Sequence, residues 1–269
     1  VESKNINKKL FDKNEFVILR QIFSNDQALF YLVIHRESLF IYLMKELKDA
    51  RLTEDKREIQ FCEGFKNANL THFYGFVQEN NKITCLIYEF LVNGTLKSYI
   101  KQNKNKVNEL FSLDTMIRVF QGMNYLHSNQ LIHRDLKSEN ILLDNNFVPF
   151  ISDFPTIRRP MSKEENDDNS EFTNDIGSII YVSPEQYNGD FVSYPTDVYS
   201  FGILIYSLYE KNENTFEKKF ENKFIFPEMF NASTNTKTLQ RLCIINDQKD
   251  RIKTQNIQNM LLNEIKLFL

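Results

Sequence analysis

In the N-terminal third of the chain, apolar, β-branched and aromatic residues form short runs separated by polar turns. The runs span residues 29–34, 39–44, 73–78 and 83–89. Their length and composition predict β-strands, and the polar tetrapeptides at 35–38 and 79–82 each predict a hairpin. The charged segment 53–65 lies between the hairpins and carries Ile59, Cys62 and Phe65 at three-residue spacing. That spacing predicts an amphipathic helix packed on a small sheet.

After residue 93 the apolar spacing changes to three and four residues, which is typical of helices. The pattern is clearest between Leu113 and Met123, and we expect Ser112 to cap this helix with Asp114 in its first turn. The same spacing over 198–209 and 255–267 predicts further helices, whereas the polar, aperiodic segment 160–176 predicts a long exposed loop. The chain is therefore expected to be an α+β protein, β-rich first and α-helical afterwards.

Bulk composition narrows the classes of partner. The chain has 269 residues and a formal net charge of -3 without a basic patch or tail, so nothing favours nucleic acid. No apolar run approaches the ~20 residues that span a bilayer, so we expect no membrane insertion. Cys62, Cys85 and Cys243 lack paired ligand spacing, which argues against a disulfide framework or zinc site and favours a reducing, cytoplasmic location. Nothing in the sequence indicates an oligomeric state.

The most informative segment is His133-Arg134-Asp135-Leu136-Lys137-Ser138-Glu139-Asn140, followed by Asp153-Phe154-Pro155. It brings together a carboxylate able to accept a proton, a cation able to reach a phosphate, and two oxygen ligands for a hard metal ion. These are the polar groups that phosphoryl transfer requires. Taken singly, such residues are most often solvated charges, turn formers or loop caps, and only their joint order and spacing favour the functional interpretation.

With the predicted strand-to-helix order, this segment resembles a eukaryotic protein kinase of the tyrosine-kinase-like Ser/Thr branch. Further matches are Gly177-Ser178-Ile179-Ile180-Tyr181, Ser183-Pro184-Glu185, Asp197-Val198-Tyr199-Ser200-Phe201-Gly202 and Arg251. The resemblance runs from residue 16 to residue 267. It implies a bilobal fold with an N-terminal extension at 1–15, a β-rich N-lobe at 16–92 and an α-helical C-lobe at 93–269.

The same resemblance implies roles for particular residues. Lys45 would hold the nucleotide phosphates and pair with Glu58, Asp135 would accept the proton of the attacking hydroxyl, and Lys137 would stabilise the transferring phosphate. Asn140 and Asp153 would be magnesium ligands. The pocket for the nucleotide base would be lined by Phe30, Leu43, Tyr88, Glu89, Leu91 and Leu142. The implied cofactors are ATP and Mg²⁺, and the implied partner is a protein substrate or a signalling protein.

Other conspicuous residues have structural interpretations. Arg251 is implied to pair with Glu185 in a buried ion pair that is costly to break singly. His127 and His133 are expected to be hydrogen-bonded core histidines rather than a base or metal ligands.

The chain departs from the family pattern around the nucleotide. Phe23, Asn25 and Ala28 stand where the phosphate-covering hairpin has glycines. Asn tolerates the left-handed region, whereas Phe and Ala would adopt it at a cost of roughly 1–2 kcal/mol each. We expect this loop to bind phosphate through its N–H groups but to pack less closely. Pro155 replaces a glycine after Asp153-Phe154, removing a backbone donor and fixing φ.

Two bulky residues stand where the family has smaller ones, since Phe30 replaces a valine and Leu43 an alanine. They are expected to lie against each other where the base would stack. Two functional interpretations follow. The first is a protein Ser/Thr kinase that transfers the γ-phosphoryl group of ATP with low activity. The second is a catalytically inactive allosteric or scaffolding module in which these side chains fill the base site.

Overall fold

The computed structural model describes residues 9–48, 59, 67–160, 179–211 and 228–268. The chain divides into two compact units, Val1–Val92 and Asn93–Leu269. The predicted α+β class is confirmed, because the first unit is built on a sheet and the second is mainly helical. The predicted helix at 53–65, which contains Glu58, lies outside the described residues apart from Ile59. Of the loop predicted at 160–176, only Pro160 is described.

The first unit contains one six-stranded sheet in the order β1-β5-β6-β4-β3-β2. The strands are β1 (Lys9–Phe11), β2 (Phe16–Ser24), β3 (Ala28–His35), β4 (Ile41–Leu47), β5 (Phe73–Glu79) and β6 (Lys82–Glu89). Both predicted hairpins are present as β3–β4 and β5–β6. The start of β4 was predicted at Leu39, but Leu39 has φ 58 and belongs to the turn.

One face of this sheet packs as the core of the first unit. Its buried side chains include Phe11, Phe16, Val33, Met44 and Ile87. Phe11 belongs to β1, which pairs in parallel with β5, so residues assigned from sequence to an extension contribute a strand and a core side chain. Because strand side chains alternate between faces, the residues next to Met44 point to the opposite face of the sheet.

The second unit combines helices with one short hairpin. Its elements are α1 (Leu96–Gln102), α2 (Glu109–Ser128), β7 (Ile141–Leu143), β8 (Pro149–Ile151), α3 (Pro184–Asn188), α4 (Tyr194–Glu210), α5 (Thr234–Cys243) and α6 (Thr254–Phe268). The predicted cap of α2 is wrong. Asn108 caps this helix by accepting a hydrogen bond from Phe111 N, and Ser112 is buried within the first turns. From the sequence alone, the buried serine inside this helix cannot be distinguished from a serine that caps it.

The core of the second unit lies around α4. Every residue of α4 from Thr196 to Tyr209 is buried, and Phe201 packs against Phe120 of α2 with ring centroids 6.2 Å apart. Such a fully buried helix holds its neighbours in fixed positions because it has no solvent-facing side. Among the described residues, no helix is both long and apolar enough to cross a membrane.

Candidate active site

Lys45 lies in the middle of β4 on the face opposite the core, and its side chain is buried. Its cross-strand neighbours are Phe30 on β3 and Leu86 on β6. Because Lys45 is only 6% exposed, its side chain has little contact with water. Lys45 is therefore a buried cation held by a rigid sheet rather than a solvated edge charge. Its expected partner Glu58 lies outside the described residues.

Three of the predicted base-site residues, Phe30, Leu43 and Tyr88, lie on the same face as Lys45. Leu43 opposes Leu32 and Tyr88, whereas Phe30 opposes Lys45, so Phe30 and Leu43 are diagonal neighbours. Diagonal side chains on a sheet stand about 7–8 Å apart, compared with about 5 Å for direct partners. Both residues are half-buried. Aromatic and long side chains can still reach each other across such a diagonal, so the expected contact between Phe30 and Leu43 stays a prediction.

Aromatic neighbours explain how these side chains are supported. The ring of Phe30 packs on the ring of Phe23, with centroids 5.7 Å apart, and the ring of Tyr88 packs on Phe73 at 5.2 Å. Tyr88 is buried, so its ring is a fixed part of this face. The rings of Phe30 and Tyr88 are thus each stabilised by a separate aromatic partner.

The remaining base-site predictions are divided between the units. Glu89 ends β6 and Leu91 is buried just after it, both in the first unit. Leu142 is the central residue of β7 in the second unit, where it pairs with Phe150. The six predicted base-site residues thus come from three strands and one connecting segment of the first unit, and one strand of the second.

In the second unit, the backbone before Asp135 is fixed by a buried carboxylate. Asp197 accepts hydrogen bonds from His133 N and Arg134 N, each at 2.8 Å, and its Oδ2 lies 2.9 Å from His127 Nε2. Burial opposes ionisation of Asp197, but the hydrogen bond with His127, together with the neighbouring His133 and its backbone N–H, outweighs burial and holds the pKa of this carboxyl below its ordinary value. The fully buried side chain therefore anchors the loop as an anion.

This anchoring holds Arg134 in an uncommon conformation. Its φ is 70, in the left-handed region, which costs a non-glycine residue roughly 1–2 kcal/mol. Gln186 Nε2 donates to Arg134 O at 2.9 Å, so both peptide groups of the residue are held. Strain that surrounding bonds enforce in this way is typical of functional sites.

Asp135, Lys137 and Asn140 form one hydrogen-bonded cluster. Lys137 Nζ lies 2.8 Å from Asp135 Oδ2, and Asn140 Nδ2 donates to the same oxygen at 2.8 Å and to Asp135 O at 2.7 Å. The turn Ser138–Asn140 brings the amide of Asn140 back to Asp135. Three predicted site residues are thus brought together, and the carboxylate is oriented by a cation and an amide.

The electrostatics of this cluster favour a proton acceptor. Burial raises the pKa of Asp135 above its ordinary value, and the negative charge of Asp153 adds to this, while Lys137 acts in the opposite direction. A carboxylate of raised pKa binds a proton more readily than a solvent-exposed aspartate.

Asp153 is positioned by its neighbours along the chain. Ser152 donates through N and Oγ to Asn140 O at 2.8 and 3.0 Å, and Ser152 O lies 3.0 Å from His133 Nε2. Phe154 is buried, and its ring packs on His133 with centroids 6.0 Å apart. Asp153 itself has φ 65. Its carboxylate is therefore presented from a left-handed residue held on both sides.

The donor set fits a magnesium ion. Asn140 uses its amide nitrogen on Asp135, which leaves Oδ1 as its metal-binding atom, and Asp153 supplies a carboxylate. Magnesium is commonly held by one or two carboxylates together with substrate phosphates, rather than by a closed protein cage. The described residues contain no cluster of three or more His, Cys, Asp or Glu side chains suited to a metal.

The predicted pair of Glu185 and Arg251 is confirmed. Arg251 Nη1 and Nη2 donate to Glu185 Oε1 and Oε2 at 2.7 and 3.0 Å, and Thr196 Oγ1 donates to Oε1 at 2.9 Å. Burial opposes ionisation of Glu185, but Arg251 outweighs it and lowers the pKa of the carboxyl. Both side chains are buried, so the pair ties α3 to the segment before α6.

Sequence reasoning missed the roles of Asp197 in the second unit and of Asn25 in the first. Asp197 was named only as the first residue of the matched run 197–202, and its only signal was its place at the N-terminus of an unusually apolar segment. Asn25 was treated as a glycine replacement, although Asn is also a residue that bonds to its own turn. None of Phe23, Asn25 and Ala28 has positive φ, so the strain expected of this hairpin is absent from it.

The sequence was compared with known protein families and proteins. Residues 35–261 match the family model described as protein tyrosine and serine/threonine kinase. The chain is 34% identical over 161 residues to Receptor-like protein kinase HERK 1 of Arabidopsis thaliana, covering 58% of this chain and 19% of that protein. It is 31% identical over 185 residues to the G-type lectin S-receptor-like serine/threonine-protein kinase SRK of the same organism, covering 66% and 21%. The chain thus spans about a fifth of the length of these relatives.

Proposed function

Because the chain belongs to the protein tyrosine and serine/threonine kinase family, we propose that it transfers the γ-phosphoryl group of ATP to serine or threonine hydroxyls of a protein. The observation that carries the proposal is the cluster of Asp135, Lys137 and Asn140. A filled or vestigial site has no need of a carboxylate held by both a cation and an amide. We also propose that the chain is located in the cytoplasm, where ATP and reduced thiols are abundant.

In this proposal, Asp135 orients the substrate hydroxyl and accepts its proton as the oxygen attacks the γ-phosphorus. Lys137 lies against Asp135 and compensates negative charge on the phosphoryl group during transfer. Lys45 holds the phosphates with Glu58 as its partner. Mg²⁺, bound by Asn140 and Asp153, would neutralise phosphate charge. Positioning and electrostatics of this kind account for most of the catalysis in phosphoryl transfer.

The Lys45 and Asp153 assignments are tested by thermal stabilisation with Mg-ATP. At a nucleotide concentration 100 times the Kd, binding should stabilise the chain by about 2.7 kcal/mol. Lys45→Met and Asp153→Asn should each abolish the rise in Tm, because each removes a charged group proposed to bind the phosphates or their metal ion. Lys82→Met, which removes an exposed lysine at the start of β6, is the matched control and should keep the full shift. A wild-type Tm that does not change at millimolar Mg-ATP would exclude the enzymatic function.

The inactive module is the second candidate. It is supported by the large side chains of Phe30 and Leu43, which lie on the sheet face that carries Lys45. A double change of Phe30→Val and Leu43→Ala should lower the stability of the empty protein by about 2 kcal/mol, the lower end for large-to-small changes because both side chains are half-buried. If these side chains obstruct the base, affinity for Mg-ATP should rise in the double variant. Isothermal titration and thermal melts measure both effects. Lost stability without a gain in affinity would show that steric filling does not limit this site.

A further inference from the structure

The tip of the β2–β3 hairpin is closed by one of its own side chains. Asn25 Oδ1 accepts hydrogen bonds from Gln27 N at 3.0 Å and from Ala28 N at 2.8 Å. Asn25 N in turn donates to Ala28 O at 3.1 Å. The N–H groups of Gln27 and Ala28 are therefore not available to an added ligand unless the carboxamide moves. This corrects the expectation that the loop would offer these N–H groups to a phosphate.

Adjacent N–H groups that converge on one oxygen form an anion-binding concavity. In this hairpin the oxygen belongs to the protein, and it is the partially negative atom of a neutral amide. Asn25 also engages a neighbouring cation, because Lys48 Nζ donates to Asn25 O. Asp26, exposed at the tip, adds a negative charge. The side-chain oxygen of Asn25 and the carboxylate of Asp26 oppose the approach of a phosphate, whereas the ammonium group of Lys48 favours it.

We propose that Asn25 is a specificity-determining residue of the nucleotide site, whose carboxamide occupies the turn donors in place of a phosphate oxygen. The inference rests on the proposed function. It follows that the tip of this hairpin adds nothing to the binding of the phosphates, which are held by Lys45 and by the metal ion proposed at Asn140 and Asp153. Removing the carboxamide should therefore improve binding of the phosphates selectively.

The experiment compares Asn25→Ala with Asn25→Asp in the whole chain, using Mg-ATP and adenosine as the titrated probes. Alanine removes the acceptor and frees both N–H groups without adding the backbone freedom of glycine. Aspartate keeps an acceptor of the same reach and adds a negative charge, so it is the matched control. We expect Asn25→Ala to lower the Kd for Mg-ATP about tenfold, the effect of one charge-assisted hydrogen bond. Its Kd for adenosine should stay within about twofold, and Asn25→Asp should bring no gain for Mg-ATP.

Amide hydrogen exchange of the nucleotide-free proteins supplies an independent readout. The amides of Gln27 and Ala28 should be protected in the wild type and in Asn25→Asp, and should exchange faster in Asn25→Ala. Unprotected amides in the wild type would overturn the inference, because the donors would then already be free. Equal gains for adenosine and Mg-ATP would also overturn it, since they would reflect general loosening of the hairpin.

The outcomes separate this inference from the function on which it rests. If adenosine binds and Asn25→Ala brings no gain for Mg-ATP, the role of Asn25 falls while the proposed function stands. If neither the wild type nor any variant binds adenosine or Mg-ATP, the proposed function falls and the role of Asn25 falls with it.

Discussion

Asp135→Asn is expected to lower the rate of phosphoryl transfer about 10²–10⁴-fold, the usual contribution of a positioned proton acceptor. An asparagine side chain still accepts hydrogen bonds from Lys137 and Asn140 but takes up no proton, so the cluster should keep its geometry. The Kd for Mg-ATP and the Tm should therefore change little. Steady-state assays with a protein substrate give the rate, and titration gives the affinity.

The matched control is Asp114→Asn, which removes the same charge from an exposed i,i+4 pair with Arg118. This variant should transfer phosphate at the wild-type rate. A wild-type rate in Asp135→Asn would remove Asp135 from the catalytic role. A lost rate accompanied by lost Mg-ATP binding would instead assign it to nucleotide binding.

The raised pKa of Asp135 gives the wild-type rate a defined pH dependence. The ionised carboxylate is the active form, so the rate should rise with pH through the pKa of Asp135 and level off above it. Since the pKa is raised, the midpoint of this acid limb should lie above the ordinary aspartate value of about 3.9. The profile of kcat/KM against pH measures it in the free enzyme.

Arg251→Met is expected to destabilise the chain by about 3–5 kcal/mol, because it leaves the buried Glu185 carboxylate without its cation. Glu185→Leu combined with Arg251→Met should cost less than either single change, since it leaves no unpaired buried charge. Denaturant unfolding of the single and double variants measures the three free energies. Arg241→Met is the matched control, because its partner Glu228 is 3.5 Å away and both side chains are exposed. Exposed pairs contribute about 0–1 kcal/mol.

The same pair predicts a loss of stability in acid. The pKa of Glu185 is lowered in the folded chain, so its contribution is complete above the unfolded value of about 4.3 and disappears as pH falls through the folded value. The Arg251→Met variant should lack this component of the acid sensitivity. If Arg251→Met costs no more than Arg241→Met at neutral pH, the pair does not support the fold.

Local features of the fold could be predicted from the sequence because they depend on local spacing. The β3–β4 and β5–β6 hairpins follow from apolar runs joined by short polar turns, and α2 follows from its helical period. The cap of α2 could not be identified, because Ser112 and Asn108 are chemically equivalent as caps until burial distinguishes them. The strand β1 is too short for periodicity to reveal, and its partner β5 lies far along the chain.

The candidate site divides in the same way. Asp135, Lys137 and Asn140 lie within one short motif, so sequence spacing alone brought them together. Asp197 lies 64 residues after His133, the donor it anchors, and no local pattern encodes a contact of that separation. The diagonal relation of Phe30 and Leu43 depends on the register of β3 and β4. A slip of one residue would move every side chain of a strand to the opposite face of the sheet.

The parallel pairing of β1 with β5 gives the first unit a mechanical attachment point. Three residue pairs join the strands, Lys9 with Gly75, Leu10 with Phe76 and Phe11 with Val77. Tension transmitted through Lys9 would load these few bonds first and pull the ring of Phe11 from the core. Detachment would uncover an edge of the sheet that carries Lys45. The uncovered edge would be β5, which lies two places from β4, the strand of Lys45.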